Sequence, residues 1–124
     1  MMKNMTYTEA LKDAIRSEML KDPNVFLAGE DISVMGGSFG VSAGLFDEFG
    51  PNRIVNTPIS ETAIVGLGVG ASAAGMRPIV ELMYFDFAGC AMDEIMNQAA
   101  KMRYMFGGKC KLPMVIRAAG GATV

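Results

Sequence analysis

Four short runs of mostly apolar residues, at positions 25–28, 53–56, 78–84 and 113–117, constrain this chain more than any other feature of its sequence. In Val25-Phe26-Leu27-Ala28 the apolar residues are consecutive rather than alternate, and Pro78 to Tyr84 is apolar except for Glu81. That is the pattern of strands covered on both faces. Segments with helical spacing precede and separate them, over 6–20, 42–49, 61–75 and 86–106. Strands separated by helices return in parallel through right-handed crossovers. The expected fold class is therefore α/β, a parallel sheet with helices on both faces. Residues 1–124 suit a single domain. The last strand, however, trails into Ala118-Ala119-Gly120-Gly121, where another helix would be expected, so the domain reads as incomplete.

Local signals agree with this parse. Thr6 can cap the first helix with Glu9 in its first turn, and Asp22-Pro23-Asn24 ends it. A loop, Met35-Gly36-Gly37-Ser38-Phe39-Gly40, precedes the short second helix. Ser60 is a suitable N-cap for the third helix, and Gly107-Gly108 stops the long fourth one. Gly66, Gly68 and Gly70 fall inside the third helix rather than in the turn before it. They argue for close packing rather than a phosphate cradle. Met92, Ile95, Met96, Ala99, Met102 and Met105 form a stripe at helical spacing, which reads as core or as a subunit surface.

Composition removes several function classes. Eleven basic and thirteen acidic residues give a net charge of −2 without a basic cluster, so nucleic acid is not an expected partner. The longest uncharged apolar stretch, 62–76, is too short and too rich in glycine to cross a bilayer. No membrane partner is expected. No apolar leader marks the amino terminus, and two cysteines make neither a disulfide framework nor a metal spacing, so the expected location is cytoplasmic. There is no histidine, which removes a Ser-His-Asp triad, a Cys-His pair and any histidine-held metal. Mean hydropathy of +0.29 is high for an isolated domain and points to surfaces covered by partners or by missing structure.

The sharpest chemical feature is Pro58-Ile59-Ser60-Glu61. It sets a carboxylate, expected to be buried, in the first turn of a helix directly after a strand, at the end of the sheet where α/β proteins bind ligands. The plainer reading is that Glu61 only favours the helix dipole, by a few tenths of a kcal/mol. Met83, Tyr84, Phe85 and Phe87 gather at another strand end, either as ordinary core or as a platform for a flat heterocycle. Asp93 lies between apolar neighbours on the long helix, where a solvated surface is again the plainer reading.

Taken together, Gly29-Glu30-Asp31, Arg53-Ile54-Val55-Asn56-Thr57-Pro58-Ile59-Ser60-Glu61, Tyr84-Phe85-Asp86-Phe87, Met102-Arg103-Tyr104-Met105-Phe106-Gly107-Gly108 and Pro113-Met114-Val115-Ile116-Arg117 resemble a known family. It is that of the beta subunits of the thiamine-diphosphate-dependent decarboxylating component of 2-oxo acid and acetoin dehydrogenase complexes. The resemblance implies a transketolase-like pyrimidine-binding domain. It implies that Glu61 hydrogen-bonds a pyrimidine nitrogen of thiamine diphosphate, favouring the imino tautomer that deprotonates the thiazolium ring. It also implies that Phe87 packs on the aminopyrimidine, that Met83 is its apolar neighbour, and that Glu30 and Asp93 are acidic positions near the cofactor with a possible part in proton relay. The implied partners are an alpha subunit, a second beta subunit in an α2β2 heterotetramer, and the acyltransferase core of the complex. The magnesium and diphosphate signature of that family belongs to the alpha subunit, and this chain shows none, so no metal site is expected here and no activity without the partner. A histidine that such subunits carry soon after the Gly-rich turn also falls outside this sequence. Acetoin is slightly favoured over pyruvate or branched-chain 2-oxo acids as substrate. A fragment of another transketolase-type enzyme, or a non-catalytic α/β interaction module, stays open.

Overall fold

The first helix, α1 (Tyr7–Lys21), begins with the reciprocal cap that its sequence predicts. The Glu9 amide donates to Thr6 Oγ1 at 3.2 Å, and the Thr6 amide donates to the Glu9 carboxylate at 2.7 Å. In the computed structural model, which describes residues 4–121, it is followed by β1 (Val25–Gly29), α2 (Leu45–Phe49), β2 (Ile54–Asn56), α3 (Glu61–Ala73) and β3 (Arg77–Tyr84). A 3₁₀ stretch (Phe85–Ala91), a π-helical stretch (Glu94–Ala99), α4 (Ala100–Met105) and β4 (Val115–Ala119) complete it.

The strands form one parallel sheet in the order β2-β1-β3-β4, as expected for the α/β class. The chain steps outward from β1 to β2, then crosses back over β1 to β3 and on to β4. Its direction of winding therefore reverses between β1 and β3. Alternate residues of the central strand feed two separate cores. Val25 and Leu27 join Ile15, Met19, Ile32, Val41, Leu45 and Ile54 on the side of α1 and α2. Phe26 and Ala28 join Ile64, Val65, Val69, Val80, Leu82, Ala88 and Ala91 on the side of α3. All of β1 is consequently buried, which is why its sequence is an uninterrupted apolar run.

Of the three helical glycines, Gly68 is the one that close packing requires. A Cβ there would lie 2.7 Å from Met114 Cε and 2.9 Å from Val80 Cγ1, whereas Gly70 faces open space.

Two expected helices need correction. The helix predicted over 42–49 starts only at Leu45, because Ser42 turns inward and donates its hydroxyl to the Ile32 carbonyl at 2.8 Å. The helix predicted over 86–106 is not uniform, passing from 3₁₀ to π geometry where it lies along α3 and β3. Its methionine stripe is split accordingly: Ile95, Ala99 and Met102 pack on the core, while Met92, Met96 and Met105 are exposed.

At the amino-terminal end of the sheet two arginines tie the chain together. The Arg53 guanidinium donates to the carbonyls of Val25 at 2.6 Å, Met19 at 2.9 Å and Asp22 at 3.0 Å. It thereby ties the end of α1 to the start of β1. Arg77 pairs with Asp22 at 3.2 Å.

Candidate functional site

Where parallel winding reverses, the connections leaving two neighbouring strands diverge and open a crevice at their carboxyl ends. Here that place is the end of β1 and β3. Gly29 closes β1 because a Cβ would sit 2.8 Å from the Glu81 carbonyl oxygen on the neighbouring strand. The chain then turns through Glu30 and Asp31, the latter in the left-handed region with φ of 50°. The stretch leading into α3 is fastened alongside, the Thr57 amide donating to the Gly29 carbonyl at 2.9 Å.

This brings Glu30 and Glu61 together. Glu30 is only 6% exposed, and no hydrogen bond holds it among the described residues. Burial, then the charge of Glu61, then that of Asp31, push its carboxyl group above the usual range. Glu61 opens α3, whose cap is Ser60, with the Ala63 amide donating to Ser60 Oγ at 3.4 Å. Contrary to expectation, Glu61 is partly exposed; the buried acid is Glu30. Glu30 directly follows the fully covered central strand, whereas Glu61 opens α3. Glu30 therefore keeps its proton more readily than an ordinary carboxylate. Beside them the Thr57 hydroxyl is buried without a partner.

Three aromatic rings gather around the end of β3. Tyr84 ends β3 and stands edge-on to Phe87 in the 3₁₀ stretch, with ring centroids 6.0 Å apart, and edge-on to Phe39 of the Gly-rich loop, 6.3 Å away. Phe87 is 42% exposed, leaving apolar ring surface open for stacking. Met83 is half-buried next to them, and its carbonyl accepts from Ser38 Oγ at 3.1 Å. Asp93 keeps different company. Its carboxylate accepts from Asn97 Nδ2 at 2.7 Å and Gln98 Nε2 at 3.4 Å, both on its own helix, and these bonds hold it below the usual carboxylate range.

Reading the sequence alone misses the ion pair between Glu81 and Arg117, register partners on β3 and β4. Its Glu81 side is buried and lies under the Gly-rich loop: a Cβ on Gly37 would come within 2.5 Å of a Glu81 carboxylate oxygen. The signal was the single acid in an otherwise apolar strand. Ser38 and Phe39 were also passed over as loop residues.

The donor set suits a flat nitrogen heterocycle, with a carboxylate for a ring nitrogen and apolar faces for the ring plane. Among the described residues no three His, Cys, Asp or Glu side chains are grouped to hold a metal ion, and no helix is long and apolar enough to cross a membrane.

Comparison with known proteins supplies the family. Residues 3–123 match the family described as transketolase, pyrimidine binding domain. The chain is 49% identical over 118 residues to the pyruvate dehydrogenase E1 component subunit beta of Rickettsia bellii, covering 95% of this chain and 36% of that protein. It is 48% identical over 132 residues to the acetoin:2,6-dichlorophenolindophenol oxidoreductase subunit beta of Cupriavidus necator, covering 98% and 39%. It thus spans little more than a third of these relatives. Among solved structures, a split-gene transketolase described as an inactive beta4 tetramer superposes with a TM-score of 0.68 at 24% identity, over 89% of this chain and 32% of that one, a likeness of fold. With nearly its whole length matched, the chain belongs to the transketolase pyrimidine-binding domain family.

Proposed function

We propose that this chain is the aminopyrimidine-binding part of the beta subunit of a thiamine-diphosphate-dependent dehydrogenase of the pyruvate or acetoin type. The observation that carries the reading is Glu61 at the start of α3, close enough to the buried, unpartnered Glu30 to raise its carboxyl group, with the open Tyr84–Phe87 ring pair following β3. When bound, thiamine diphosphate supplies a ring that accepts the electrons released from the substrate's cleaved bond. The chain's own residues bind and orient the pyrimidine. Glu61 holds a proton at the ring nitrogen, and Phe87 and Met83 cover the ring plane and exclude water. Glu30, which keeps its proton more readily than an ordinary carboxylate, stands behind Glu61 as a proton reserve. Asp93 is a further acidic position, on the helix that continues away from the site.

Magnesium and the diphosphate fall to an alpha subunit in this reading, with a second beta subunit and the acyltransferase core as further partners. The exposed row Met92, Met96, Tyr104, Met105 and Phe106 supports a covered surface in the assembly. Identity of 49% to a pyruvate-type and 48% to an acetoin-type relative supports both substrate classes. A cytoplasmic location belongs to the same proposal.

The test is Glu61→Gln in the full-length subunit reconstituted with its alpha partner. Assembly should be retained and turnover lost; undiminished turnover removes Glu61 from the reaction. Product analysis with pyruvate and with acetoin assigns the substrate.

A further inference from the structure

Phe39 has no part in either hydrophobic core, yet the loop that carries it is tied down at several points. The Gly37 amide donates to the Asp31 carbonyl at 3.0 Å and the Ser42 amide to the Gly36 carbonyl at 2.9 Å. Gly37, at φ of 74°, sits directly on the Glu81 carboxylate, which Arg117 fixes from the next strand. Ser38 Oγ then reaches the Met83 carbonyl. The outcome of these constraints is one placement: the Phe39 ring at 81° to Tyr84, which in turn stands at 85° to Phe87. Three rings in a perpendicular series transmit position, because each edge-to-face contact restricts the tilt of the next ring.

We infer that Phe39 is a positioning residue for cofactor binding, acting through Tyr84 to set the tilt of Phe87 against the aminopyrimidine. This rests on the site proposed above. Glu81, Gly37 and Ser38 serve the same end by fixing the loop, so the Gly-rich segment is a brace for the ring wall. On its far side Phe39 borders an open cleft of about 520 Å³ and is itself 59% exposed, so its truncation leaves no core cavity.

The test uses the full-length subunit assembled with its alpha partner and carrying Phe39→Ala, Phe39→Leu or Phe39→Tyr. For Phe39→Ala the KM for thiamine diphosphate should rise about threefold to tenfold, the worth of an aromatic pair. kcat at saturating cofactor and the melting temperature should hold. Phe39→Tyr should restore the KM and Phe39→Leu should not, since it keeps bulk without a ring edge. In a Tyr84→Ala background, Phe39→Ala should add nothing, because the series is already cut. An unchanged KM in Phe39→Ala, full rescue by leucine, or losses that multiply across the two positions overturns the inference while leaving Glu61 in place. Undiminished turnover in Glu61→Gln instead removes the site, and this inference with it.

Discussion

The two ends of the sheet treat charge in opposite ways. At the amino-terminal end Arg53 satisfies three backbone carbonyls and Arg77 meets Asp22. At the carboxyl end Glu30 is buried with no hydrogen bond, and Glu61 stands close enough to disturb it. A buried charge without a partner costs stability. The difference teaches that one end holds the fold together and the other keeps groups in reserve for a ligand. A parallel sheet makes this division possible, since all four strands end on the same side.

The contrast breaks or sharpens under substitution. The largest effect belongs to Glu61→Gln, for which turnover of the reconstituted enzyme should fall at least about a hundredfold, the lower range for a general acid–base group, with melting nearly unchanged. A loss of stability as large as the loss of activity would erase the distinction between the ends. Arg53→Ala should do the reverse. Leaving three carbonyls without their charged donor should cost about 2–3 kcal/mol by chemical denaturation, with thiamine diphosphate affinity retained.

Glu30→Gln probes the reserve directly. A carboxyl raised above its unfolded value favours the fold while protonated, and that contribution is lost as pH rises from the ordinary carboxylate range through the raised one. The variant should therefore melt higher than the parent at neutral pH, by roughly a few degrees, with the gain vanishing toward acid. A gain that is independent of pH would mean that charge is not the cause. The smallest effect is Thr6→Ala, which removes the α1 cap and should cost about 1 kcal/mol in stability without touching the site.

What could be read in advance follows the range of the forces involved. The Thr6 and Ser60 caps, the buried run of β1 and the Gly-rich loop are local, and their residues announce them. The positions of Glu61, Met83 and Phe87 at strand and helix ends were legible for the same reason, together with a family resemblance that supplied their proposed roles. The burial of Glu30 rather than Glu61 was not, because it depends on how the β1 end lies under the first turn of α3. Nor was the Glu81–Arg117 pair, which needs the β3–β4 register. The strand predicted over 113–117 begins at Val115 and runs on to Ala119 for that reason, since pairing with Ile79 through Tyr84 decides its limits.

The widened turn at Glu94–Ala99 has a consequence for how such a chain can change over generations. A π turn accommodates one residue more than ordinary helical winding. Loss of a single residue there can be healed by relaxing to α geometry, with the flanking segments left in phase. Variation in chain length among relatives is therefore expected to gather at this turn and to be rare in the 3₁₀ stretch that carries Phe87.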